Sequence, residues 1–243
     1  MEACVTSYPN IPSVAVFDTG FHKTMPEYVF RYGIPKRFYE DYKIRRYGAH
    51  GTSHKYVSAK CAELLGKDIQ NTKMITCHIG SGASICAVKN GECLDTSMGF
   101  TPLEGIMMNT RSGDIDPAVI EFICKKDNKI VSEVLQILNK QSGLLGVNGK
   151  YDDMRDILAN LNDKDIALSF DMYCYRIKKY IGSYMAAMDG VDAIVFTAGV
   201  GEHTPEMREK VLQDMDFFGI SIDHDKNYGA PRDEIVEIST QDS

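Results

Sequence analysis

No stretch of this 243-residue sequence approaches the roughly 18–20 consecutive apolar residues of a membrane-spanning helix. The longest clean apolar run lies within Ala193–Val200. The opening Met-Glu-Ala-Cys carries neither the basic nor the apolar region of a secretory signal. Positive charge is in deficit, since 27 Lys and Arg against 34 Asp and Glu leave a formal charge of −7. Such a chain has no general field for nucleic acid or an anionic membrane, so local groups must hold any anionic ligand. No C-x-x-C pair occurs among the seven cysteines, Cys4, Cys61, Cys77, Cys86, Cys93, Cys124 and Cys174. Their odd number and scatter suit reduced, mostly buried thiols of a cytoplasmic protein, not a disulfide framework or a zinc ribbon. The P-loop pattern is missing. Tryptophan is missing too, which excludes nothing.

What is present is globular: 44% hydrophobic and 25% charged residues, with no repeat, linker or low-complexity tract. The length fits one domain to one and a half. Lys73–Ile79, Ala83–Lys89 and Glu92–Thr96 are expected as strands, the last two joined by the hairpin signal Asn90-Gly91. Thr101-Pro102-Leu103-Glu104 reads as a capping box, and Asp116-Pro117 and Thr204-Pro205-Glu206 as further helix starts. Apolar residues from Ile166 to Met188 recur by threes and fours, predicting one long helix over Lys164–Met188. Val191–Thr197 follows as a continuous apolar run, expected to be a strand covered on both faces. The whole is a mixed α/β domain. Both ends look abrupt: strand-like Val14–Phe17 follows Tyr8–Pro12 almost at once, and strand-like Ile235–Thr240 is three residues from the end. A piece of a longer protein is expected.

Two glycine turns are expected at strand ends, His78-Ile79-Gly80-Ser81-Gly82 and Gly199-Val200-Gly201-Glu202. Glycine lets backbone N–H groups close on phosphate oxygens, and the helix opening at Thr204 adds the positive end of its dipole. Together they point to a nucleotide. A Rossmann arrangement fits less well, because Thr204 stands where its third glycine would fall. Arg111, in the loop Arg111–Asp116, is either a surface charge or a clamp for phosphate or carboxylate, while Asp116 is most simply a helix N-cap. Capping and first-turn acids nearly account for Asp152–Asp156. His50 and His54 stand four apart but lack the glutamate of H-E-x-x-H, which speaks against zinc. Thr52 or Ser53 is expected to cap a helix running to Leu65. His50 is either a phosphate ligand or a buried imidazole, and Asp18 either a catalytic carboxylate or a turn residue.

The run Val16-Phe17-Asp18-Thr19-Gly20-Phe21-His22 resembles the F-D-T-A-F-H of the acetate kinase family. So do Arg46–His54, Asp95–Asp116, Ser142–Gly146, Asp153-Met154-Arg155 and Phe196–Pro205, covering essentially the whole chain in order. The resemblance implies two ribonuclease-H-like lobes, as in actin, sugar kinases and heat-shock chaperones, closing on ATP or ADP with magnesium to phosphorylate acetate or a close short-chain acid. It assigns catalysis to Asp18, His50 and Arg111. Nucleotide contacts fall to His78, Ile79, Gly80, Ser81, Gly82, Asp153, Met154, Arg155, Gly201, Glu202, His203, Thr204 and Pro205, and the acyl pocket to Ala49 and Pro102. It also implies a homodimer and a split into a remnant of the N-terminal lobe (1–20) and a truncated C-terminal nucleotide-binding lobe (21–243); no partnership with nucleic acid or membrane is expected, from the charge and the lack of a long apolar run. The family's magnesium ligands would lie outside this chain, as would a substrate arginine and a further histidine. Gly20 replaces the usual alanine, Ser81 and His203 replace asparagines, and Ala49 replaces a phenylalanine. The last change is expected to widen the pocket towards propionate. The chain alone is expected to bind nucleotide with little turnover. The alternatives are a non-catalytic nucleotide-binding or interaction domain, or a propionate or short-chain acyl kinase.

Overall fold

The computed structural model describes residues 2–231 and 234–243; Met1, Arg232 and Asp233, which the two expected segments include, lie outside the described residues. In chain order the helices are Glu2–Ser7 (α1), Glu27–Phe30 (α2), Lys36–Tyr42 (α3) and Gly51–Leu64 (α4), then, after three strands, Ala118–Asp127 (α5) and Val131–Lys140 (α6). They continue with Gly143–Asn148 (α7), Met154–Ala159 (α8), Lys164–Met188 (α9), Ala198–His203 (α10), Pro205–Leu212 (α11) and His224–Tyr228 (α12). The strands are Lys73–Ile79 (β1), Ala83–Lys89 (β2), Glu92–Thr96 (β3) and Ala193–Thr197 (β4). They form one sheet in the order β3-β2-β1-β4, with β1, β2 and β3 antiparallel and β4 parallel to β1.

Alternation along the strands divides the sheet into two faces. Ile75, Cys77 and Ile79 of β1 and Ala83, Ile85 and Ala87 of β2 join one cluster, completed by Ile166, Phe170, Tyr173, Ile177, Ile181 and Met188 of α9. Met74, Cys86, Val88 and Cys93 point the other way, into a smaller cluster with Met25, Phe30 and Ala62. Helix α9 has the expected bounds because both ends are capped. Asp163 accepts from the Asp165 and Ile166 amides, and Asp189 stops the helix in the left-handed region (φ 58°). The β2–β3 turn carries Asn90 at φ 55° and Gly91 at φ 77°, the paired left-handed residues of a tight two-residue hairpin.

Several expectations are corrected. Val14–Phe17 forms no strand; it is irregular and exposed, because a strand exists through its neighbour's hydrogen bonds and none is offered among the described residues. Ile235–Thr240 is likewise irregular apart from a single bridge, Ile222 to Ser239. Thr101–Glu104 opens no helix, since Glu104 is drawn off to Arg46 Nη2 (2.7 Å) and to the Tyr32 hydroxyl. The strand expected at Val191–Thr197 begins at Ala193 and is half-buried, being the edge strand beside β1. The second glycine turn is helix α10. Helix α4 is capped by His50, not by Thr52 or Ser53. The Asp116 and Pro205 helix starts agree: Asp116 accepts the Ala118 amide (2.8 Å) and Pro205 is the first residue of α11. Of the cysteines, Cys77, Cys86, Cys93 and Cys174 are buried, Cys61 and Cys124 half-buried and Cys4 exposed; all are free thiols. No helix among the described residues is long and apolar enough to cross a membrane.

Candidate active site

Asp18 fastens the start of α4. Its carboxylate accepts the His50 amide (2.7 Å) and its carbonyl accepts the Gly51 amide (2.8 Å), supplying partners for first-turn N–H groups that a helix leaves unpaired. The approach is so close that a Cβ on Gly51 would lie 2.4 Å from the Asp18 carbonyl oxygen. His50 sits in the left-handed region (φ 59°, ψ 21°), a conformation rare outside glycine and held here by Asp18.

That backbone aims the His50 ring at the β1–β2 hairpin. The ring stacks on His78, centroids 4.1 Å apart, and its Nδ1 meets Ser84 Oγ at 2.8 Å. Ser84 Oγ also meets His54 Nε2 (2.8 Å), and His54 Nδ1 meets Thr76 Oγ1 (2.7 Å). Proton counting orients this chain. Among the described residues the buried Thr76 hydroxyl has no other acceptor, so it donates to His54 Nδ1. His54 Nε2–H then donates to Ser84, and Ser84 donates to His50 Nδ1. His50 is left with its proton on Nε2, facing the hairpin. Burial, the neighbouring His78 and the Arg111 guanidinium push the His50 pKa down to about 4, against the opposing pull of Asp18, so the ring is neutral at pH 7. Burial also lowers His78, whose Nδ1 meets Ser53 Oγ (2.8 Å).

Gly82 is where the pieces converge. A Cβ built there would stand 3.2 Å from Arg111 Nη1 and 3.7 Å from His50 Nε2. A side chain there would press on the arginine end, and the bare backbone leaves an arginine and an imidazole donor facing one small volume. Arg111 Nη1 also reaches the carbonyl of exposed Pro102 (3.4 Å), and Ala49 is buried immediately before His50. Ser81 is exposed at the hairpin tip, Ile79 is core, and Gly80 lies beside Ala198 of α10, a Cβ there being 3.8 Å from the Ala198 Cβ. Hairpin and α10 thus occupy the C-terminal ends of the parallel pair β1 and β4, the usual ligand side of such sheets.

In α10, Gly201 is buried against β1, while Glu202 turns back to the Thr197 hydroxyl (2.9 Å) and the Ala198 amide (3.0 Å). His203 is exposed and Thr204 buried. Asp153 caps α8 through the Arg155 amide (2.9 Å) and pairs with the Arg155 guanidinium (2.6 Å), which holds its carboxyl down at about 2; Met154 beside them is buried. The structure therefore joins Asp18, His50, His78, Gly82 and Arg111 with the hairpin and α10, whereas Asp153 and Arg155 are spent on each other. Two open surface hollows, of about 400 and 530 Å³, are lined by none of these residues.

Sequence reasoning missed Thr76, Ser84 and His54 as partners of His50. The available signal was polar residues at period two in otherwise apolar strands, facing a helix with histidines four apart. It also missed Arg208, buried and donating to the Gly201 (2.8 Å) and Glu202 (2.7 Å) carbonyls, which anchors α10. Magnesium prefers hard oxygen ligands. The one group of three metal-ligating side chains found among the described residues is His22, Cys86 and Cys93, a soft set that does not suit it.

A mixed sheet flanked by helices, with a glycine hairpin beside a guanidinium and an imidazole, is an α/β fold of the actin and sugar-kinase type. The sequence model of the acetokinase family matches residues 1–243. An acetate kinase of Caldicellulosiruptor saccharolyticus is 51% identical over all of this chain and 61% of its own length. The acetate kinase structure from Porphyromonas gingivalis superposes with a TM-score of 0.95 at 49% identity, covering 100% of this chain and 61% of that one. A propionate kinase from Francisella tularensis follows at 0.93 and 42%, covering 100% and 62%. The chain belongs to the acetokinase family, and it spans about three-fifths of the length of these relatives.

Proposed function

We propose that this chain is the nucleotide-binding side of an ATP:acetate phosphotransferase, residues 1–20 belonging to the opposing lobe and 21–243 to the nucleotide lobe. Acetate attacks the γ-phosphorus of ATP; an O–P bond forms to the carboxylate as the bond to the β-phosphate oxygen breaks, giving acetyl phosphate and ADP. The transferring group spreads negative charge over its oxygens, so catalysis rests on positioned donors and cations. Arg111 supplies a fixed cation and His50 a neutral Nε2–H, while Asp18 holds the His50 backbone and sets its direction. The hairpin Gly80–Gly82 and the adjoining α10 offer backbone to the phosphates. Magnesium would neutralise phosphate charge in the complete enzyme, and no step here is routed through it.

The observation that carries this reading is the convergence of Arg111 and His50 over Gly82. Fluorescent ADP titrated into the chain should bind and weaken at least tenfold in Gly82→Val, while acetyl phosphate stays undetectable. Absence of binding, or rapid turnover by the chain alone, defeats the proposal. A cytoplasmic homodimer is part of the same reading. So is a short-chain acid substrate, supported by relatives named for acetate and for propionate. Ala49 supports tolerance of the longer acid. In a chimaera completed with the flanking segments of the Caldicellulosiruptor relative, Ala49→Phe should lower propionate-over-acetate kcat/KM by about tenfold or more. An unchanged ratio removes Ala49 from the pocket.

A further inference from the structure

Behind the catalytic histidine, on the same face of the sheet, lies a second group of side chains that phosphoryl transfer does not use. His22 comes from the helical turn Gly20–Thr24, Cys86 from β2 and Cys93 from β3. All three are buried, at 1%, 0% and 1% exposure. His22 Nδ1 lies 3.1 Å from Cys93 Sγ, Cys93 Sγ lies 3.5 Å from Cys86 Sγ, and the three ligand atoms fall within 4.8 Å of one another.

The other side of the His22 ring is already committed. Its Nε2 stands 2.9 Å from the Ala49 carbonyl, which can only accept, so Nε2 carries a proton and Nδ1 is the nitrogen turned to the cysteines, free to bind an ion once any proton there is released. The backbone confines the ring as well: Gly48 is left-handed (φ 76°), and a Cβ there would stand 2.6 Å from His22 Cδ2. Metal-bound imidazoles have this arrangement, one nitrogen on the ion and the other N–H on a backbone carbonyl that fixes tautomer and orientation. A tetrahedral zinc site holds sulfurs about 3.7 Å apart and nitrogen to sulfur about 3.5 Å, from bonds of about 2.3 and 2.0 Å. The two short edges here are within about half an ångström of those separations.

We propose that His22, Cys86 and Cys93 form a binding site for one thiophilic d10 cation, Zn²⁺ or Cu⁺. Thiolate sulfur selects such ions over calcium and magnesium, and the buried unit is neutral with Zn²⁺ on two thiolates or Cu⁺ on one thiolate and one thiol, the form that burial penalises least. Binding releases a proton to solvent for each thiolate formed and needs no oxidant or reductant. The site is structural: an ion on Nδ1 stiffens the His22 tie to Ala49, the residue before His50.

The test uses the whole 243-residue chain, stripped with a chelator and kept reduced under nitrogen, then titrated separately with Zn²⁺ and with Cu⁺. Native mass spectrometry should find one ion per chain, and the melting temperature should rise by several degrees. The arm that saturates at the lower free-ion concentration names the metal. Cys86→Ser and Cys93→Ser should each weaken binding a hundredfold or more, while Cys124→Ser, a thiol outside the group, leaves it unchanged. Cobalt(II) added to the unsubstituted chain should give thiolate-to-metal charge-transfer bands, a readout that stands even where a serine variant fails to fold. No uptake of either ion, uptake indifferent to both serine substitutions, or a cobalt spectrum without sulfur bands overturns the site.

Discussion

The two faces of the sheet are made by the same strands under the same alternation, yet they do different work. Facing α9, β1 and β2 present Ile75, Cys77, Ile79, Ala83, Ile85 and Ala87 to a dry cluster. Facing α4, the same strands are apolar at one end, with Met74, Cys86 and Val88, and polar at the other, with Thr76, His78 and Ser84. The dry face depends on packing and tolerates little loss of volume. The polar end depends on each hydroxyl and imidazole having a partner, so its weakness is the single unpaired atom. One side of the sheet is held by apolar packing alone, and the other combines a smaller apolar cluster with a chain of paired polar groups.

Substitutions should separate them. Ile177→Ala, in the centre of the dry face, should cost about 2–5 kcal/mol in urea unfolding and leave the ionisation of the histidines unchanged. On the other face, Gly51→Ala forces a methyl onto the Asp18 carbonyl and should cost about 1–3 kcal/mol; loss of amide protection at His50 in hydrogen exchange would distinguish it from a core lesion. Acid should act through the polar face. His50, His54 and His78 all have folded-state pKa values below their ordinary value. Below about pH 6.5 the unfolded chain binds protons that the folded chain refuses. Their contribution is therefore complete above pH 6.5 and fades as the pH falls towards 4, so the melting temperature should drop through that window. His22, raised by Cys93 and the Ala49 carbonyl despite its burial, works in the opposite sense. Thr76→Val should be the mildest, about 1 kcal/mol. Its signature is nitrogen NMR of His50, where the Nε2–H form should lose its dominance. An unchanged tautomer there would break the proton order assigned to the face.

Much of the dry side was legible beforehand, and the physical reason is locality. Strands β1, β2 and β3 have the bounds expected from alternation and an Asn-Gly turn, and α9 has the bounds expected from its apolar period. Where a residue's partner is remote, the reading failed. Glu104 looked like a capping residue until Arg46 and Tyr32 claimed it, and Gly199–Glu202 looked like a loop until β1 packed against Gly201. The candidate site was legible mainly through resemblance. Spacing alone left Asp18 and His50 between function and structure, and the relay from Thr76 to His50 crosses two strands and a helix. No local pattern records such a contact.

The clasp at Asp18 has a geometric consequence. The segment before it is exposed, from Tyr8 through Phe17, and meets α4 through the Asp18 carboxylate and carbonyl. Asp18 follows Phe17 directly, and its carboxylate accepts the amide of His50, whose ring and Arg111 both approach Gly82. Residues 8–17 lead straight into the residue that holds the His50 backbone, so the course of that segment and the direction of the ring are set at one point, Asp18.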